Sequence, residues 1–204
     1  MKVVAISQRV DLIKPRGEYR DSLDQNIINF LFLCGFIAVP VPNVPNSFPE
    51  NLKVVGHIEL YMEKIEPHAV VLSGGNDIGN NVGRDHTELK MLTYAKEKKL
   101  PLLGICRGLQ MMAYKAGTVP TPLVGHAGTR HKISGEISGE VNSYHNLGIL
   151  DCPKGYKVIS RSDDNSIEAI KHRELPWEGW MWHPERELGF VKRDVARLKL
   201  LFNG

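Results

Sequence analysis

A chain of 204 residues can bury one substantial core but is short for two independent ones, so a single domain spanning residues 1–204 is expected to hold both fold and site. Its 26 Lys and Arg nearly balance 23 Asp and Glu, which excludes a strongly basic nucleic-acid protein and an acidic tail-bearing one. Three scattered cysteines, Cys34, Cys106 and Cys152, make neither a disulfide framework nor a metal pair and favour a reducing compartment.

The apolar run Val3 to Ile6 is too short for a signal peptide. The longest apolar run, Phe30 to Val41, is broken by Gly35 and Pro40 and falls short of the roughly 20 residues that span a bilayer. The expectation is a soluble, cytoplasmic chain without a membrane partner. Val3 to Ser7 reads as the first strand. From Ser22, the residues Leu23, Ile27, Ile28, Phe30, Leu31 and Cys34 recur at helical spacing, with Gly35 as a stop. Ile37 to Val41 reads as the second strand, followed by a loop with Pro42, Pro45 and Pro49 and a helix over 54–65. Ala69 to Leu72 is a buried strand ended by Ser73-Gly74-Gly75, and Asp85 to Lys98 a surface helix. Leu100 to Ile105 is the fourth strand, running through Cys106 into the helical stretch Leu109 to Lys115. Beyond Gly117, short alternating pieces (Lys132 to Ile137, Tyr156 to Ser160, Ile167 to Ile170) read as strands and hairpins, and Asp194 to Phe202 as a closing helix. This alternation predicts an α/β fold of flavodoxin-like, doubly wound type, with a mostly parallel sheet covered by helices on both faces.

Gly104-Ile105-Cys106-Arg107-Gly108 places small residues two before and two after a candidate nucleophile, between a strand and a helix, which is the layout of a nucleophile elbow. A helix N-terminus favours the thiolate of Cys106. A general acid/base is needed, and His183 in Trp182-His183-Pro184-Glu185 has a carboxylate two residues on to fix its tautomer. Donors for an oxyanion are expected from Gly74-Gly75 and from the N–H of Arg107. Trp177, Trp180 and Trp182 read as packing around this centre, Met111 and Met112 as helix core. His126 and His131 with Cys152 make no zinc set, so neither metal nor cofactor is expected.

Ser73-Gly74-Gly75-Asn76-Asp77, Gly104 to Gln110, Asn142-Ser143-Tyr144-His145 and His183-Pro184-Glu185, in that order, resemble the class I glutamine amidotransferase-like hydrolases, and among them the γ-glutamyl-γ-aminobutyrate hydrolase group. The resemblance implies a triad of Cys106, His183 and Glu185 that cleaves a small-molecule γ-glutamyl amide through a glutamyl thioester, with Gly75 and Arg107 as the oxyanion hole. It also implies substrate contacts from Gly74, Asn76 and Gln110 and a closing loop of Asn142, Ser143, Tyr144 and His145. Gln110 equally fits a helix surface residue, and His145 a solvated loop histidine. The chain departs from the family pattern at Asn80, Asn146 and Leu147, on the leaving-group side. Cations at Arg9, Arg16, Arg20, His126, Arg130, His131 and Lys132 suit phosphate oxygens and equally suit a solvated surface. Gln8-Arg9 and Glu18-Tyr19-Arg20-Asp21 resemble short members whose leaving group is cytidine diphosphoramidate.

Overall fold

The computed structural model of the chain describes residues 1–44 and 57–204; Pro45, Pro49 and the first residues of the expected 54–65 helix lie outside them. In chain order the strands and helices are β1 (Lys2–Ile6), β2 (Arg9–Ile13), β3 (Glu18–Ser22), α1 (Gln25–Leu33), β4 (Phe36–Pro40), α2 (His57–Ile65), β5 (Ala69–Leu72) and α3 (Val82–Glu97). There follow β6 (Leu102–Ile105), α4 (Arg107–Lys115), β7 (Thr121–Pro122), β8 (Ala127–Gly135), β9 (Gly139–Tyr144) and β10 (Leu147–Gly148). Last come β11 (Tyr156–Ser162), β12 (Ile167–His172), β13 (Trp177–Trp180) and α5 (Lys192–Asn203).

Among the described residues, nine strands form one sheet in the order β4-β1-β5-β6-β13-β12-β11-β8-β9. The first five are parallel, in the 2-1-3-4-5 arrangement of doubly wound folds; the last four add on antiparallel. Strands β5 and β6 are buried along their whole length, as a strand covered on both faces must be, hence their continuous apolar runs. Two separate cores follow. Ile27, Phe30 and Leu31 of α1 and Leu198 and Phe202 of α5 cover one face; Ile58 and Met62 of α2, Met91 and Leu92 of α3, and Leu109, Met111 and Met112 of α4 cover the other. No helix among the described residues is long and apolar enough to cross a membrane.

Three features differ from the sequence expectation. The β2–β3 hairpin was not expected, because its residues are largely exposed and charged and its hold is external: the Asn76 side chain accepts from Val10 N and donates to Val10 O, both at 2.9 Å. Of the expected loop Asn142 to His145, Asn142 to Tyr144 are the end of β9, paired with β8. Strand β13 was not expected either, since Glu178 and Gly179 interrupt its apolar pattern; Glu178 is nevertheless buried, held by Arg197 at 2.6 Å and by the Trp180 indole at 3.1 Å.

Candidate active site

The parallel strands β1, β5, β6 and β13 bring Ser7, Ser73-Gly74-Gly75, Cys106 and His183 to one edge, the carboxyl edge of the sheet, where such folds bind ligands. Cys106 sits between β6 and α4 with φ +50° and ψ −103°, a conformation an L side chain holds only when its surroundings enforce it. The enforcement is visible on both sides: Cys106 N donates to Trp180 O at 2.7 Å and Gln110 N to Cys106 O at 3.1 Å. The flanking glycines are required by close approach. A Cβ on Gly104 would stand 2.6 Å from the Gly108 backbone, and one on Gly108 would stand 2.2 Å from Leu72 O. The elbow thus lets α4 begin directly against β5, with the thiol at its N-terminus.

His183 Nδ1 lies 2.6 Å from Glu185 Oε1, and both side chains are buried. Burial alone would lower the imidazole pKa; hydrogen bonds with Cys106 and Glu185 outweigh it and raise the value to about 9. The ring therefore carries a proton through neutral pH beside the thiol. Its placement is set from three directions. Asn142 clamps the backbone, accepting from His183 N at 2.9 Å and donating to His183 O at 2.8 Å. Tyr144 meets the ring edge-on at 5.8 Å between centroids. Gly74 backs it so closely that a Cβ would come 2.5 Å from His183 Cε1.

Under the site lies a buried charge network. Arg84 donates to Glu88 at 3.1 Å and to the carbonyls of Ser73 and Gly74 at 2.9 Å each. Arg107 pairs with Glu88 and Asp85, and Ser7 Oγ donates to Glu88 at 2.8 Å. Burial pushes the Arg84 pKa down to about 10, with Glu88 holding it up. The network ties the Gly74-Gly75 turn and the residue after Cys106 to one carboxylate, so the two expected oxyanion donors rest on a common foundation.

Cys106, Gly75, Arg107, Gln110, Tyr144, His145 and His183 line one cleft of about 280 Å³. Gln110 is buried and donates to Leu147 O at 2.7 Å, and His145 is buried, so neither is a surface residue. Five expected substrate contacts need correction. Asn76 borders the cleft, but its amide is spent on Val10 and Arg84. Asn142 and Ser143 are buried and bond to His183 and to His126 O instead, because β9 turns them inward. Arg130 is paired with Glu140 at 2.7 Å and Glu187 at 3.0 Å. His131 faces Glu168 at 3.3 Å, away from the cleft. Arg9 lines a small adjoining pocket with Gly74, Gly75 and His183 and pairs with Asp11. Arg186 borders both pockets, its guanidinium 4.6 Å above the Tyr144 ring. Sequence reasoning missed it, although it directly follows Glu185. Asn80 and Asn146, two of the departures from the family pattern, also line the cleft.

Comparison with known proteins identifies the family. The chain belongs to the class-I glutamine amidotransferase family, whose model matches residues 18–201. It is 39% identical over 135 residues to the γ-glutamyl-CDP-amidate hydrolase of Campylobacter jejuni, covering 63% of this chain and 68% of that one. It is also 30% identical over 187 residues to anthranilate synthase component 2 of Thermococcus kodakarensis, covering 83% and 85%. A protein from Thermoplasma acidophilum described as a putative GMP synthase component has the same fold, with TM-score 0.70 at 18% identity over 100% of this chain and 94% of that one.

Proposed function

We propose that the chain hydrolyses a γ-glutamyl amide with Cys106 as nucleophile, His183 as acid/base and Glu185 as its orienting carboxylate. The observation that carries this reading is the strained Cys106 elbow facing a buried imidazole that is itself 2.6 Å from a carboxylate. The thiolate sulfur attacks the γ-carbonyl, and the charge that develops on its oxygen is met by the N–H groups of Gly75 and Arg107. His183 gives its proton to the departing nitrogen as the C–N bond breaks, leaving a glutamyl thioester. The same imidazole then takes a proton from water, which adds to the thioester and releases glutamate and the thiol. In this reading Gln110 and Gly74 would contact the glutamyl end. Residues 1–204 would act as one unit.

For the leaving group we favour cytidine diphosphoramidate, supported by the 39% identical relative named for that substrate. The sequence-named cations His126, Arg130 and His131 face carboxylates, as does Arg9, so we assign the phosphate contact to Arg186 at the cleft wall. A second reading, a glutaminase component that hands ammonia to a synthase, is favoured by the likeness to anthranilate synthase component 2. The test is a panel of glutamine, γ-glutamyl amines and γ-glutamyl-CDP-amidate, with glutamate release measured for wild type and Cys106→Ala. Turnover of the nucleotide-linked substrate by wild type alone, with a thioester trapped on Cys106 by acid quench, is expected. Undiminished turnover by Cys106→Ala would sink the mechanism, and stimulation of glutamine hydrolysis by a synthase would favour the second reading.

A further inference from the structure

Beside the cleft, three histidines converge on one buried carboxylate, and one of them, His145, also lines the cleft. Glu168 of β12 is fully buried. Its Oε1 is 3.7 Å from His126 Nδ1, 3.3 Å from His131 Nε2 and 3.7 Å from His145 Nε2. None of these nitrogens and neither Glu168 oxygen has a partner in hydrogen-bond geometry. One donor atom each from His126, His131 and Glu168 lies within 4.8 Å of the others, and the His145 ring is 4.9 Å from that of His126. Five buried polar atoms that face one another without a hydrogen bond carry a large penalty unless something satisfies them together.

We propose that His126, His131, His145 and Glu168 form a binding site for a divalent transition-metal ion of zinc type, structural rather than catalytic. The donor set is right: imidazole nitrogens and one carboxylate suit zinc in closed four-coordinate sites. Ligand atoms bonded at 2.0–2.1 Å to a tetrahedral ion stand about 3.3–3.4 Å apart; the three N···O separations run from 3.3 to 3.7 Å, and the atoms of His126, His131 and Glu168, within 4.8 Å of one another, would draw together on the ion with His145 as the fourth ligand. The outer contacts are those of a metal-bound histidine. His126 Nε2 lies 2.8 Å from Asp164 Oδ2, which holds its proton there and leaves Nδ1 free for the ion. Asp164 is itself fixed by Ser162 Oγ and by Ser166 N at 3.0 Å, while Ser143 Oγ anchors the His126 carbonyl. The ion would pin the ends of β8 and β9 to β12. On β9, Asn142 and Tyr144 hold His183, so the site would brace the wall of the cleft. The zinc set dismissed from sequence contained two of the right histidines but sought its third ligand in Cys152, whose sulfur turns to Tyr156 O instead.

The test uses the full chain stripped with a chelator and titrated with Co²⁺ alone. One equivalent per chain, with the intense visible bands of tetrahedral cobalt, displacement by Zn²⁺ and a melting temperature that rises with added Zn²⁺, is expected. Glu168→Gln and His131→Gln should each weaken Co²⁺ binding at least 10-fold, while Cys106→Ala should bind as wild type does. The wild-type titration decides the matter even if a variant fails to fold: absence of tetrahedral bands and of stoichiometric uptake overturns the proposal. Loss of the bands in Cys106→Ala overturns it too, since the metal would then sit on the thiol.

Discussion

Replacing Glu88 by Gln tests whether the buried network beneath the cleft holds the site in place. Glu88 is fully buried and faces two guanidiniums, Arg84 and Arg107, with side-chain exposures of 0% and 1%. Gln keeps the shape and a hydrogen-bonding oxygen but removes the charge, leaving two buried cations with only Asp85 between them. Breaking one partner of a buried ion pair costs about 3–5 kcal/mol. For a domain of this size each kcal/mol lowers Tm by roughly 2–4 °C, so a drop of roughly 6–20 °C is expected. Burial has already lowered the Arg84 pKa to about 10 with Glu88 opposing it; without Glu88 that opposition is gone. Because Arg84 also holds the carbonyls of Ser73 and Gly74, kcat should fall at temperatures where the variant is still folded. Urea melts give the stability change, and glutamate release roughly 15 °C below the variant's own Tm gives the rate. A loss below about 1 kcal/mol, within the range of an exposed pair, would refute the reasoning that these charges depend on one another for their burial.

Other expectations follow from the geometry around His183. Its pKa is raised to about 9, so the stabilisation from its pairing is complete below pH 6.5 and disappears as pH climbs from 6.5 to 9; the stability gap between wild type and Glu185→Gln should shrink across that window, and a gap that widens would contradict the assignment. Gly74→Ala places a Cβ 2.5 Å from His183 Cε1 and should lower kcat about 100-fold by displacing the ring, with a stability loss of about 1–3 kcal/mol from overpacking; an unaltered kcat would show that the ring has room to move. Asn142→Ala removes both hydrogen bonds to the His183 backbone and should lower kcat while leaving KM close to wild type, which a direct substrate contact would not do. Arg186→Ala should raise KM about 10-fold for a diphosphate-bearing substrate, the worth of a charge-assisted bond, and less for glutamine; equal effects on both would remove Arg186 from the phosphate side.

The parallel strands and the elbow at Cys106 were legible because steric and hydrophobic rules act locally. Covered on both faces, β5 and β6 had to be continuous apolar runs, and the Gly104-to-Gly108 spacing records a contact of 2.6 Å between backbone and a would-be Cβ. His183 and Glu185 are legible for the same reason, being two residues apart. What sequence did not reveal depends on partners distant along the chain. Arg130 reads as a free cation until Glu187, 57 residues on, is seen to neutralise it. Asn142 reads as a substrate ligand until β9 is seen to lie against the backbone of residue 183.

The same distinction bears on specificity. A cation contributes to phosphate recognition only if its charge is not already met within the fold, and His126, Arg130 and His131 each face a carboxylate within 3.3 Å. Arg186 is different: its near neighbours are the Tyr144 ring at 4.6 Å and a carboxylate oxygen at 3.9 Å that already serves His183. It lines the cleft together with Asn146 and Asn80. Polar, uncharged asparagines next to one partly exposed guanidinium can hold a phosphate-bearing leaving group without trapping its product by excess charge. Recognition and release of the leaving group would therefore depend on three side chains that the triad does not use.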